Sequence, residues 1–368
     1  LPSMRILVTG GAGYIGSVTA AALLRRGHEV AVLDDLRTGH RAAVPEGADF
    51  VRADVADENA VADTLRTHRS EAIVHFAASS LVGESMEKPM LYFGNNTAGT
   101  FALLDVALRH DVGRFVLSST AALYGTPERV PIPEDAQLHP ESVYGESKYL
   151  IERALGWLGR TVGLGWTALR YFNAAGADGE RGEDHRPESH LIPLVLQVAL
   201  GQRDAISVFG DDYPTEDGTA VRDYVHVADL ADAHVRAVEA LRPGEGRAYN
   251  VGTGRGYSVR EVIDACRRVS GHPIPERTAP RRAGDPPTLV ADSGRIRAEL
   301  GWTPEHDDEH ASDEIAAFAA LYAMPEACRD WDARSTGYGN TLAEAITPEG
   351  WQPKLGDRRR DLIKAGAL

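Results

Sequence analysis

Cysteine is almost missing from this chain: two residues, Cys266 and Cys328, serve 368 positions, too few for a disulfide framework and without the spacing of a zinc site. No stretch approaches the roughly 20 consecutive apolar residues that cross a bilayer. No basic start leads into an apolar run and a small-residue cleavage site. The expected setting is therefore a reducing cytoplasm, with no membrane partner. Positive charge is scarce as well: 39 Lys and Arg stand against 54 Asp and Glu, a formal net charge of -15. No basic run precedes Arg358, Arg359 and Arg360. Such a surface repels a phosphate backbone, so nucleic acid is not an expected partner.

What is present describes an ordinary globular enzyme. Hydrophobic residues make up 43% and charged residues 25%, which argues against disorder or a fibrous fold. Short apolar runs alternate with longer helix-like segments: MRILVT from Met4, a helix from Tyr14, EVAVL from Glu29, EAIVHF from Glu71, a helix from Leu91 and RFVLSS from Arg114. That rhythm predicts βαβ units and a parallel sheet. The runs are continuously apolar, as strands covered on both faces are. The expected fold class is α/β: a doubly wound parallel sheet of the Rossmann kind with a smaller interleaved α/β substrate domain. The chain turns polar and Gly-rich after Asn173, where a domain switch is expected. YVHVADLADAHVRAVEAL from Tyr224 is read as a strand and helix that return to the first sheet. The expected division is 4–173 with 222–245 for the dinucleotide, 174–221 with 246–306 for the substrate, and 307–368 as an extension of unplaced role. Ser258 and Glu261 form a capping box ahead of one further helix.

The run VTGGAGYIG sets Gly10, Gly13 and Gly16 between the first strand and first helix. Glycines there allow a tight turn, close backbone approach to a pyrophosphate and close helix–strand packing, and the helix-start amides receive the phosphates. A glycine turn alone is a weak signal. The second strand, however, ends in Asp34 and Asp35, near the offset at which an acid holds the adenosine ribose. An acid there repels a 2′-phosphate and favours NAD over NADP; Arg37 argues the other way and carries less weight. Asp54, after the third strand, is placed to reach the adenine or to sit solvated in its loop.

In SVYGESKYLIERAL, Tyr144 and Lys148 lie four apart and project from one helix face. A phenol is a poor base at neutral pH, but a nearby ammonium and a positive nicotinamide ring favour its phenolate. Upstream, RFVLSS opens into Thr120, whose hydroxyl can hold a reacting sugar oxygen beside Tyr144; Ser118 and Ser119 have a similar claim. Each feature alone has a structural explanation. Their order along one chain is far less ordinary.

At this point the chain resembles the extended short-chain dehydrogenases and, within them, the UDP-galactose 4-epimerases. The resemblance runs from Met4 to about Trp302 through VTGGAGYIGS, HFAASSLVGES, NNTAGT, SSTAALYG, YGESK, LRYFNAAGA, DYPTEDGTAVRDYVHVADLADAH, YNVGTG and APRRAGDPP. It implies Tyr144 as base, Lys148 on the nicotinamide ribose and Thr120 on the sugar hydroxyl. It implies NAD held by Gly10, Gly13, Tyr14, Ile15, Gly16, Asp34, Asp35, Asp54, Val55, Phe76, Ala77, Ala78, Asn95, Ser118 and Tyr171. Ser80, Asn173, His190, Leu191, Arg222, Tyr224, Arg282 and Asp285 would meet a UDP-sugar, the arginines on phosphate and Asp285 on the uridine ribose. The implied reaction is NAD-dependent inversion at C4 of a UDP-hexose, UDP-glucose or UDP-galactose, through a 4-keto sugar, in a homodimer.

Departures from the family pattern sharpen the reading. Ser80 stands where some members have lysine. Leu289 stands where some have a tyrosine that crowds C2, which opens the pocket to UDP-N-acetylglucosamine; UDP-glucuronate is a further alternative substrate. A dehydratase places Asp-Glu after the position of Thr120, and Ala121 and Ala122 stand here instead. A non-catalytic NAD sensor has no reason to keep Tyr144, Lys148 and Thr120 together. No metal is expected: Glu305, His306, Asp307, Asp308, Glu309 and His310 read as a solvated acidic stretch.

Overall fold

A computed structural model describes residues 2–178, 181–185, 188–282 and 284–305. The acidic stretch from His306 and the extension beyond it, with Cys328, lie outside the described residues. In chain order the elements are β1 (Arg5–Thr9), α1 (Tyr14–Arg25), β2 (Glu29–Asp34), β3 (Asp49–Arg52), α2 (Glu58–His68), β4 (Ala72–His75), α3 (Val82–Glu87), α4 (Pro89–Tyr92), α5 (Gly99–Arg109), β5 (Arg114–Thr120), α6 (Val143–Val162) and β6 (Gly165–Tyr171). There follow β7 (Asn173–Ala175), α7 (Leu191–Ala199), β8 (Ile206–Phe209), β9 (Val221–His226), α8 (Val227–Ala240), β10 (Gly246–Val251), β11 (Gly256–Ser258), α9 (Val259–Ser270), β12 (Glu276–Ala279), β13 (Thr288–Leu289) and α10 (Gly294–Leu300).

Seven strands form one parallel sheet in the order β10-β6-β5-β4-β1-β2-β3. Successive side chains point to opposite faces of a strand, and here both faces are covered. Ile6, Val8, Val30 and Val32 join one core with residues of α1 and α8. Leu7, Ala31 and Leu33 join another with residues of α2, α5 and α6. This is why the strands read as unbroken apolar runs. Strand order reverses between β1 and β4, and ligands of such sheets bind outside the carboxyl ends at that point.

Two expectations about the chain path change. The strand around Tyr224 does not join the large sheet: β9 pairs with β7, β11 and β13 in a small separate sheet. The strand that does return is β10, parallel to β6. Only α8 of the expected unit packs on the first lobe, against α1, so residues 246–251 sit with the large sheet. The helix expected from Leu91 is interrupted as well. Phe93–Ala98 is a π turn between α4 and α5, a form favoured at functional sites, and it contains both Asn95 and Asn96. The capping box at Ser258 and Glu261 forms as expected. Among the described residues, no helix is long and apolar enough to cross a membrane.

Candidate active site

The glycine loop leaves β1 at the reversal point. Gly10 has φ +71, and a Cβ there would lie 2.5 Å from the backbone nitrogen of Ala77. A Cβ on Gly16 would lie 2.2 Å from the carbonyl oxygen of Gly10. Side chains at either position would fill the turn between Thr9 and the Phe76-Ala77-Ala78 segment after β4. Gly13 caps α1 without a side-chain hydrogen bond, and no acid occupies the first turn. Free helix-start amides with no competing carboxylate suit an anionic pyrophosphate, so these residues fit a dinucleotide.

Asp34 is buried, and its two oxygens accept from the amides of Ala12, at 3.0 Å, and Leu36, at 2.8 Å. Burial raises its carboxyl above the usual range, against those hydrogen bonds. It thereby braces the glycine loop as well as standing where an acid meets a ribose. Arg37 is tied into acids: it donates to Asp35, to Asp54 at 3.0 Å and to Oδ1 of Asn95 at 3.0 Å. A guanidinium matched by two carboxylates is a poor partner for a 2′-phosphate, which supports the weight placed on Asp34. Tyr14 donates to the carbonyl of Gly176 at 2.6 Å, Ile15 packs half-buried on the core, and Val55 is buried in the other core. Ser80 is exposed.

Tyr144 and Thr120 come together because of one small residue. Ser142 caps α6 by accepting from the amide of Gly145 at 3.1 Å. A Cβ on Gly145 would lie 2.6 Å from the carbonyl oxygen of Ala122. The helix start therefore presses directly on the turn that follows Thr120, and this brings the Tyr144 phenol beside Thr120. Burial pushes the Tyr144 phenol up to about 12, with Thr120 pulling the other way. A cation brought beside it would favour the phenolate. Lys148 is buried at 1% exposure and donates from Nζ to the carbonyl of Ser118 at 2.9 Å. Burial pushes its ammonium down to about 8, while Glu152 opposes that shift. Tyr171 hydrogen-bonds to Ser118 across β5 and β6, and burial raises its phenol.

Sequence reasoning missed two supports of this cluster. Asn96, fully buried, accepts from the amide of Ser79 at 2.8 Å and donates to the carbonyl of Ser79 and to Oγ of Ser147. It ties the segment after β4 to the catalytic helix. Glu152 accepts from Ser119 at 2.6 Å and from the Arg170 guanidinium through both oxygens. The paired asparagines and the carboxylate one turn beyond Lys148 were the available signals, but neither type announces burial.

Of the expected sugar-nucleotide residues, Asn173, Arg222 and Tyr224 lie on the small sheet. Asn173 opens β7 opposite Tyr224, two residues beyond Tyr171. Arg222 is in register with Leu289 and forms an ion pair with Asp285. Arg282 stacks on Phe209 at 4.0 Å. His190 caps α7 and Leu191 begins it; Nδ1 of His190 lies 2.8 Å from Glu188. Asp285, expected on a ribose, thus has an arginine partner within the chain.

Comparison with known proteins agrees with this layout. The model of the NAD dependent epimerase/dehydratase family matches residues 6–252. A UDP-glucose 4-epimerase of Corynebacterium glutamicum is 53% identical over 305 residues, covering 83% of this chain and 92% of that protein. The crystal structure of UDP-glucose 4-epimerase from Brucella ovis in complex with NAD superposes with a TM-score of 0.81 at 44% identity, covering 86% of this chain and 98% of that one. The Bifidobacterium longum UDP-glucose 4-epimerase in complex with NAD+ and UDP gives 0.80 at 37% identity, covering 84% and 95%.

Proposed function

Since the chain belongs to the NAD dependent epimerase/dehydratase family, we propose that it inverts C4 of a UDP-hexose, interconverting UDP-glucose and UDP-galactose. The observation that carries this reading is the Tyr144 phenol set beside Thr120, with Lys148 buried one turn further on, followed by Ala121 and Ala122. A phenol and a hydroxyl side by side can grip the O4–H of a sugar. No carboxyl pair follows Thr120 to eliminate water.

NAD, when bound, supplies the acceptor and donor of the C4 hydride, so that a 4-keto sugar forms and is reduced on its other face. Gly10, Gly13, Gly16, Asp34 and Asp35 would hold its pyrophosphate and adenosine, Asn95 and the Phe76-Ala77-Ala78 turn its flank, and Lys148, Ser118 and Tyr171 its nicotinamide end. Tyr144 takes the O4 proton and returns it, with Thr120 orienting the oxygen. Arg222 and Arg282 grip the diphosphate while Asp285 fixes the ribose, so the nucleotide stays bound as the hexose turns. His190, Leu191, Asn173 and Tyr224 line the same end.

Mixing the protein with UDP-galactose and following UDP-glucose tests the proposal directly; conversion without added cofactor is expected, and no conversion with NAD supplied would overturn it. Leu289, beside Arg222 in the sheet register, supports a second substrate, UDP-N-acetylglucosamine. Its absence of turnover at high enzyme concentration would remove that extension alone. A homodimer through α5 and α6 belongs to the same reading: Phe101 and Trp157 leave 42% and 59% of their surfaces exposed there. Light scattering at the monomer mass would overturn it.

A further inference from the structure

Between β7 and α7 the described residues form a strap against the first lobe. It is held at four points: Tyr14 to the carbonyl of Gly176, Arg25 to Asp178 at 3.0 Å, Arg181 to the carbonyl of Ala43 at 3.1 Å, and His40 to the carbonyl of Asp184 at 3.0 Å. At its far end three side chains converge. One ligand atom each from Glu183, His185 and His190 fall within 4.8 Å of one another. Glu183 contacts Nδ1 of His185, and its other oxygen is 3.7 Å from Nδ1 of His190. The two imidazole rings are 5.3 Å apart.

Glu183 is buried at 7% exposure, and its ionic partners among the described residues are these two imidazoles. Glu188, 2.8 Å from His190, adds a second carboxylate. A buried carboxylate flanked by two imidazoles and a second carboxylate is a donor set that suits a cation. Two imidazole nitrogens and one carboxylate oxygen are the ligand set of open zinc sites, with donor bonds of roughly 2.0–2.2 Å.

We propose that Glu183, His185 and His190 bind one divalent transition-metal ion of the zinc class, with Glu188 or water completing the coordination. Closing the ligands onto a cation requires a small contraction of the group. The ion staples the strap to the start of α7 and so holds the strap down over the glycine loop. Coordination at Nδ1 also confines the proton of His190 to Nε2, leaving that nitrogen a hydrogen-bond donor; its use on a sugar diphosphate rests on the function proposed above, whereas metal binding does not.

The test uses untagged full-length protein stripped with a chelator and titrated with Co2+, whose visible d–d absorption reports the site, then with Zn2+ as competitor. One Co2+ per chain, displaced by Zn2+, is expected. Glu183→Gln and His185→Asn should each weaken binding by at least about tenfold. Zn2+ should also slow the release of bound NAD from the wild type and leave both variants unchanged. No uptake by wild type, or binding undiminished in a folded variant, overturns the site. If one variant fails to fold, the other decides. No turnover is measured, so failure here leaves the epimerase reading intact and the reverse.

Discussion

Between Thr9 and Gly16 the backbone holds its shape because side chains are missing; at Gly176, Asp178, Arg181 and Asp184 the chain is held because side chains are present. In the first segment a Cβ at Gly10 or Gly16 would strike backbone atoms, and Asp34 locks the turn through two amides. In the second, an arginine, a tyrosine and a histidine from the first lobe pin the strap at separate carbonyls and carboxylates. One geometry is written in residue spacing and tolerates no change. The other is distributed over contacts far apart in sequence, each replaceable at modest cost.

The catalytic helix shares the first kind of rigidity, and it should show the largest effects. Tyr144→Phe removes the phenol proposed to take the O4 proton. A fall in kcat of about a thousandfold or more is expected, with UDP affinity measured by calorimetry unchanged. Near-normal turnover would sink the assignment of the base.

Lys148→Met should lower kcat by about a hundredfold while raising stability. Lys148 titrates at about 8 in the folded protein against 10.5 in the unfolded chain. Between those values the unfolded state binds more protons, so wild-type stability rises with pH across that window. Below pH 8 the folded protein carries the full cost of the buried ammonium, about 3 kcal/mol. Removing the charge recovers that cost, less about 1 kcal/mol for the hydrogen bond lost by Ser118. Denaturant melts of the NAD-free protein at pH 7 should show the gain, and the wild-type rise between pH 8 and 10.5 should vanish in the variant. A less stable variant, together with a wild type that shows no rise between pH 8 and 10.5, would mean that Lys148 is paired more tightly than its bond to Ser118 suggests.

The small sheet lies between these extremes. Arg222→Ala should raise KM for the UDP-sugar by about ten- to a hundredfold, the range of a charged hydrogen bond, with kcat changed far less. An equal fall in kcat would move Arg222 from holding the nucleotide to shaping the reaction.

The same contrast explains what could be read without coordinates. Gly10, Gly13, Gly16, Asp34, Tyr144 and Lys148 sit within short windows whose spacing has a direct geometric meaning, and the large sheet follows from apolar runs covered on both faces. The path of β9 was misread because YVHV is apolar enough for either sheet; its partners, β7, β11 and β13, are two- or three-residue strands with no periodicity of their own. Asn96 and Glu152 were invisible for a related reason, since only the fold reveals that these polar side chains are buried and fully engaged. Glu183, His185 and His190 carry no recognised metal spacing, and only the fold shows that their ligand atoms converge.

The smallest expected effect tests whether the strap works as a sum of weak contacts. Arg25 and Asp178 pair at 3.0 Å with the arginine side chain 59% exposed, and exposed pairs of this kind contribute little because water competes and two long side chains must be ordered. Arg25→Ala should leave folding and kcat unchanged and speed NAD release by less than about fivefold. Combining it with Arg181→Ala, which removes the separate bond to Ala43, should multiply the two effects as long as the backbone bridge between Asp178 and Arg181 holds, since the two side chains have different partners. A rate far above the product would mean that the strap opens as one cooperative unit, which would make it more like the glycine loop than its chemistry suggests.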